Sequence, residues 1–224
     1  MKRLITELAE LDGLFDHYAE RFGRDQTPYR NHVYRVINLV AAQRTLTGDD
    51  LRKLELAGFF HDAGIWLAGT FDYLPPSARL ACHYLDEHGL QDWSDEIHAM
   101  IVQHHKLTRS DAPAGTLVEA FRRADWIDVS LGLLRFGVDR ERVREINRRF
   151  PNAGFHALLM GLSARQLITQ PLRPFPMLCL SHPAHHIQES APVVAVRDGL
   201  RKLLTDSLDY SFHLSLIHLS YPTI

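Results

Sequence analysis

Residues 51–66 read LRKLELAGFFHDAGIW. Leu51, Leu54, Gly58 and His61 recur at steps of three, four and three, which places them on one face of a helix. That helix is expected to run to the adjacent pair His61 and Asp62, with Gly64 and Trp66 just beyond. An imidazole beside a carboxylate at the apolar end of a helix is costly to bury unless something compensates it. A divalent cation would do so, because imidazole nitrogen and carboxylate oxygen suit several first-row metals. The bland alternative is a capping aspartate beside a packed histidine, and the neighbouring helices decide between the two.

Upstream, Leu4, Leu8, Leu11, Phe15, Tyr18 and Phe22 form one apolar stripe, so the spacing predicts a packing helix over 2–22. Thr27 and Pro28 suit the cap and first position of a second helix, YRNHVYRVINLVAAQRTL, stopped by Thr47 and Gly48. Val33, Val36, Ile37 and Val40 are its core positions, and His32 and Arg35 stand one turn apart on an adjoining face. Asp49 and Asp50 are the expected caps of the helix that follows. Gly58 would admit a neighbouring backbone at close range.

Downstream, Gly69 and Pro75-Pro76 mark a loop that contains Asp72 and restarts as a helix to about Glu87. A helix capped at Ser94 runs through EIHAMIVQHHKL, with Ile97, Ile101 and His104 inward and His105 a quarter-turn away. After a breaker at 111–115, TLVEAFRRADWIDVSLGLL brings Leu117, Phe121, Ala124 and Asp125 close in angle, with Asp128 as the rival acid one turn on. A basic amphipathic helix, RERVREINRRF, and a helix near 152–169 complete the regular pattern. The expected fold is all-α, one helical domain over 1–170 followed by a C-terminal extension over 171–224. That extension reads as a proline-rich loop, a helical stretch near 193–208 and an irregular tail.

Composition narrows the function. The 224 residues are 46% hydrophobic and 23% charged, which is ordinary for one sizeable core. A net charge of -2 leaves no electrostatic footprint for nucleic acid. The opening MKRLITELAELDGLF lacks the uninterrupted apolar core of a signal peptide. No stretch reaches the roughly 18 apolar residues of a membrane span. Two cysteines, Cys82 and Cys179, suit a reducing compartment, so a cytoplasmic location is expected. His32, His61, Asp62 and Asp125 then emerge as a mixed nitrogen and oxygen set from three helices, with room left for water. Such an open site suits hydrolysis better than scaffolding.

The segments NHVYRV, GFFHDAGI, AMIVQHHKL and FRRADWID, taken together, resemble the HD superfamily of metal-dependent phosphohydrolases over roughly 25–135. The resemblance implies an HD-domain-like helical bundle with His32, His61, Asp62 and Asp125 as metal ligands. It implies hydrolysis of a phosphomonoester or phosphodiester of a nucleotide-like small molecule by a metal-activated water. Mn, Fe, Mg, Zn, Co and Ni are equally admissible, with one ion expected and a second through His104. Binuclear members carry two further histidines; His104 matches one, whereas His83 reads as a surface or outlying residue. Asp72, Tyr73 and Leu74 stand where the other histidine is expected, which makes Asp72 a candidate ligand or acid. Ile65 occupies the position at which some nucleotidase members carry a catalytic Glu, so that mechanism is not implied.

His104, Lys106 and Asp72 are accordingly the catalytic candidates, and Arg35, Lys106 and Arg109 the cations for a phosphate. Arg122 and Arg123 are expected to point away from Asp125. Trp66 and Tyr73 suit a pocket wall or plain core, and His182, His185 and His186 a surface loop. The superfamily also contains a nitrile hydratase and di-iron oxygenases. An HD-type hydratase, a di-iron oxygenase or a non-catalytic regulatory module are therefore the alternatives. A small-molecule substrate is the expected partner, without nucleic acid or membrane, and a homodimer is the option for self-association.

Overall fold

The computed structural model describes residues 3–169, and every regular element among them is helical. In order these are α1 (Ala9–His17), α2 (Ala19–Phe22), α3 (Gln26–Gln43), α4 (Gly48–Phe60), α5 (Gly64–Leu67), α6 (Leu74–Glu87), α7 (Ser94–Gln103), α8 (Val118–Val129), α9 (Arg140–Arg149) and α10 (Phe155–Thr169). Short 3-10 turns at Gly23–Asp25 and Gln91–Trp93 precede α3 and α7. The all-α expectation therefore holds for the described residues. The extension 171–224, its helix near 193–208 and His182, His185 and His186 lie outside them. No helix among the described residues is long and apolar enough to cross a membrane.

The axis of the bundle is α3. Val33, Val36, Ile37 and Val40 face the core as their spacing predicts, but Tyr29, Tyr34 and Leu39 are buried as well. The helix is covered on every side because α4, α8 and α9 all pack against it. Gly58 marks the closest approach of α4. A Cβ there would lie 2.7 Å from Val33 Cγ1, so a side chain, not a backbone, fills the gap. Near the N-terminal end of α3, Phe15, Phe22, Tyr29 and Phe59 form an aromatic nest with centroids 5.1–5.8 Å apart. Each such pair adds about 0.5–1.5 kcal/mol to its burial.

Two element boundaries differ from the sequence reading for identifiable reasons. The helix expected over 2–22 begins only at Ala9 and breaks at Tyr18. The Asn38 side chain takes both backbone groups of Ile5, accepting from its N–H and donating to its carbonyl at 2.9 Å each, which draws that segment out of a helical ladder. The start of α1 is then capped from another helix, because buried Glu55 accepts the Leu11 N–H at 2.9 Å. Thr47 rather than Asp49 or Asp50 caps α4, in a reciprocal box with Asp50.

The more consequential boundary is the end of α4. It stops at Phe60, next to the His-Asp pair where the sequence reading ends it, and a turn at that pair separates it from α5. The hydroxyl of Tyr29 inserts at that end, donating to the Phe59 carbonyl at 2.7 Å and accepting the Asp62 N–H at 3.2 Å. His61 Nδ1 takes the Gly58 carbonyl at 2.7 Å. The side chain of Asp62 is thereby freed from the helix surface and turned inward. Gly64 then lets the Tyr73 loop close over the turn, since a Cβ there would lie 2.7 Å from the Tyr73 carbonyl oxygen and 2.9 Å from Ser77 Oγ. Gly64→Ala should therefore lower stability by about 1–3 kcal/mol in denaturant unfolding. Unchanged stability would contradict this close approach.

Candidate metal centre

His32 from α3, His61 and Asp62 from the turn after α4, and Asp125 from α8 meet in the core, each 3% exposed or less. His32 Nε2 stands 3.0 Å from His61 Nε2 and 3.4 Å from Asp125 Oδ1. His61 Nε2 is 3.3 Å from Asp62 Oδ2. His104, fully buried just past the end of α7, places Nε2 3.4 Å from Asp62 Oδ1. The four residues singled out as ligands are thus neighbours, and His104 joins them.

The outer edge of each ring fixes what the inner edge can do. His61 Nδ1 faces the Gly58 carbonyl at 2.7 Å and His104 Nδ1 the Ile101 carbonyl at 2.6 Å. A carbonyl only accepts, so both Nδ1 atoms carry hydrogen. His32 Nδ1 meets Asp128 Oδ2 at 2.7 Å, which calls for the same tautomer. When the rings are neutral all three Nε2 lone pairs converge, and the Nε2 atoms of His32 and His61 face each other at 3.0 Å. Asp62 Oδ1, Asp125 Oδ2 and His104 Nε2 are buried without a hydrogen-bond partner among the described residues. Converging lone pairs and orphaned carboxylate oxygens are the donor set of a cation site.

The electrostatics agree. Burial pushes the His32 imidazole down to about 4 against the pull of Asp128, so the ring is neutral at pH 7. Burial pushes the Asp125 carboxyl up to about 8; facing His104 opposes this, while the like charges of Asp62 and Asp128 add to it. A cation would reverse that penalty. Burial also works against the charges of Asp62 and Asp128. At Asp62 it is outweighed by the charged forms of His61 and His104, whose positive charge a bound cation would replace, and at Asp128 by the His32 hydrogen bond and the Arg35 guanidinium, so both carboxyls sit well below the usual range.

Among the described residues, two groups of side chains could hold a metal ion, His32 with His61 and Asp62, and Asp62 with His104 and His105. They share Asp62. The second group contains His105, which the sequence reading turned aside, in place of Asp72 or His83. The Tyr73 hydroxyl, kept protonated by burial and the nearby Asp62 and Asp125, meets His105 Nε2 at 2.5 Å. His105 Nδ1 in turn stands 3.9 Å from Asp125 Oδ2.

Other expected site residues fall elsewhere. Asp72 is exposed, its backbone N–H on Thr70 Oγ1, and it is Tyr73 beside it that turns inward. His83 is exposed at 3.3 Å from Glu87, as its helix face predicts. Arg35 corrects the expectation of a phosphate-binding cation. It is 2% exposed, grips Asp128 at 2.5 and 2.8 Å, and donates to the Phe150 and Pro151 carbonyls. Lys106 pairs with exposed Asp111, and Arg109 is exposed. Arg122 is buried on Glu119 and donates to the Lys106 carbonyl at 2.9 Å, which ties the His105 segment to α8. Trp66 is held by Asp25 and packs on Tyr29, so it belongs to the aromatic nest.

Comparison with protein-family models, with curated proteins and with solved structures returns no match to this chain.

The Arg35–Asp128 pair gives a direct test of the geometry. Arg35→Met strands a buried carboxylate and should cost about 3–5 kcal/mol of stability, whereas adding Asp128→Leu should recover much of that loss. Denaturant unfolding measures both, and a single variant no weaker than the double would contradict the pairing.

Proposed function

We propose that this chain is a metal-dependent hydrolase of the HD type, cleaving a phosphomonoester or phosphodiester of a nucleotide-like small molecule. The observation that carries the reading is the pair of Nε2 atoms of His32 and His61 facing each other at 3.0 Å beside the orphaned oxygens of Asp62 and Asp125. Those four residues would hold one divalent ion, which supplies a water nucleophile near neutral pH and polarises a phosphoryl oxygen. The resemblance of the four quoted segments to the HD superfamily supports phosphoester chemistry at such a site.

The remaining roles belong to the chain's own groups. Lys106 is the cation for the phosphoryl oxygens, because its pair with Asp111, 83% exposed, is worth only about 0–1 kcal/mol and yields to a more highly charged anion. The Tyr73 hydroxyl and His105 are the neutral donors beside the ligand set, and His105 keeps an exposed edge toward solvent. Arg35 is withdrawn from substrate binding by its embrace of Asp128. The few, dispersed cysteines go with a reducing, cytoplasmic setting. A second reading is a hydratase with one ion or a di-iron oxygenase with two, for which the group Asp62, His104 and His105 would give the second ion a place next to the first.

Metal analysis of the purified protein beside Asp62→Ala, followed by a phosphatase and phosphodiesterase substrate panel with the metal found, tests the proposal. We expect about one or two equivalents in the wild type, loss in the variant with the helical spectrum kept, and release of phosphate or a nucleotide. Metal without phosphoester turnover would favour the second reading. No metal after reconstitution would overturn both.

A further inference from the structure

The turn between α9 and α10, FPNAGFH at 150–156, lies beyond the stretch that carries the ligand candidates, and it touches three of the groups that surround His32. Phe155, fully buried, stacks on the His32 ring with centroids 4.2 Å apart and planes 16° from parallel. The carbonyls of Phe150 and Pro151 accept from Arg35 Nη1 at 3.1 and 3.3 Å, and Asn31 Nδ2 also donates to Pro151 at 2.8 Å. His156 Nε2 donates to the backbone carbonyl of Asp128 at 3.0 Å, its Nδ1 meeting Asn152 Nδ2 at 2.6 Å. Ala153 and Gly154 take successive left-handed conformations, φ 52° and 99°, and this fold of the turn brings Phe155 back over α3. A non-glycine residue in that region is held there against its own preference, which marks a turn fixed by its contacts.

None of these side chains faces the converging lone pairs, yet together they determine where one of them points. An imidazole ring turns easily about its bond to Cβ, because that torsion has broad wells. His32 is denied this freedom twice, by an in-plane hydrogen bond to Asp128 on its outer edge and by Phe155 across its face. Asp128 is in turn fixed by both Arg35 nitrogens and, through its carbonyl, by His156.

We propose that the Phe150–His156 turn is a clamp that positions His32 as a ligand, with Asp128, Arg35 and Phe155 as its positioning residues. The metal centre is therefore built from the chain as far as residue 156. The inference rests on reading His32 as a metal ligand. Disturbing such outer partners of a ligating histidine typically lowers metal affinity about 10–100-fold.

The test uses the full chain, stripped of metal and titrated with Co2+, whose visible absorption reports ligand geometry. Asp128→Asn places an amide N–H against either His32 or Arg35, and Phe155→Leu keeps apolar bulk but removes the flat face. Leu85→Ala, a core truncation in α6, controls for general loosening. Both clamp variants should bind Co2+ about 10–100-fold more weakly, with a shifted absorption band and a wild-type helical circular dichroism. Leu85→Ala should keep the wild-type band. If Asp128→Asn does not fold, Phe155→Leu decides alone. Wild-type affinity and band in the clamp variants, or the same change in Leu85→Ala, would overturn the clamp while leaving the site standing. No Co2+ bound by the wild type would instead remove the reading of the site.

Discussion

His32 and His61 present Nε2 to Nε2 at 3.0 Å in the interior of a helical bundle, with each Nδ1 already donating outward. Two lone pairs at that distance repel, and in a medium where charges are poorly screened the repulsion is not relieved by solvent. Asp62 adds negative charge to the same point, and its charge together with burial opposes ionisation of the Asp125 carboxyl beside it. The surrounding chain holds this unfavourable convergence in place from several directions. A positive ion at that point turns each of these repulsions into attraction.

The fold supplies that hold through a small number of polar contacts inside an otherwise apolar core. The Tyr29 hydroxyl ends α4 at the point where the His-Asp pair must leave the helix. Gly64 lets the Tyr73 loop press onto the same turn. Arg35 and Asp128, both nearly inaccessible, form a bidentate pair whose free energy comes less from Coulomb attraction than from the penalty of leaving either charge alone. That pair links α3 to α8 and, through two carbonyls, to the end of α9. Ligand geometry and bundle integrity thus depend on shared groups.

Much of this was legible in the sequence because helical periodicity survives burial. His32, His61, Asp62 and Asp125 were found as residues at the inward face or end of separate helices, and they meet. His105 is not legible from helical periodicity because it lies past the end of its helix. α7 stops at Gln103, so no helical angle applies to His105. Asp72 and Tyr73 are neighbours in an irregular loop, where no periodicity tells which of them turns inward. Arg35 lies in the cleft that its spacing from His32 predicts, but its partner there is Asp128. Its carboxylate lies 93 positions away, and only packing reveals that α8 brings Asp128 rather than a ligand phosphate to it. The break of the first helix has the same origin, since Asn38 captures Ile5 across 33 positions.

The account is tested most directly by a crystal structure of the protein soaked with Mn2+ or Co2+, with anomalous scattering used to locate the ion. It predicts a peak bonded to Nε2 of His32 and of His61 and to carboxylate oxygens of Asp62 and Asp125, at roughly 2.0–2.3 Å. Such a peak would also leave the Nδ1 contacts to Asp128 and Gly58 as they are. A peak elsewhere, or none at saturating metal with the two imidazoles still facing each other, would contradict the claim that this cluster is a metal centre.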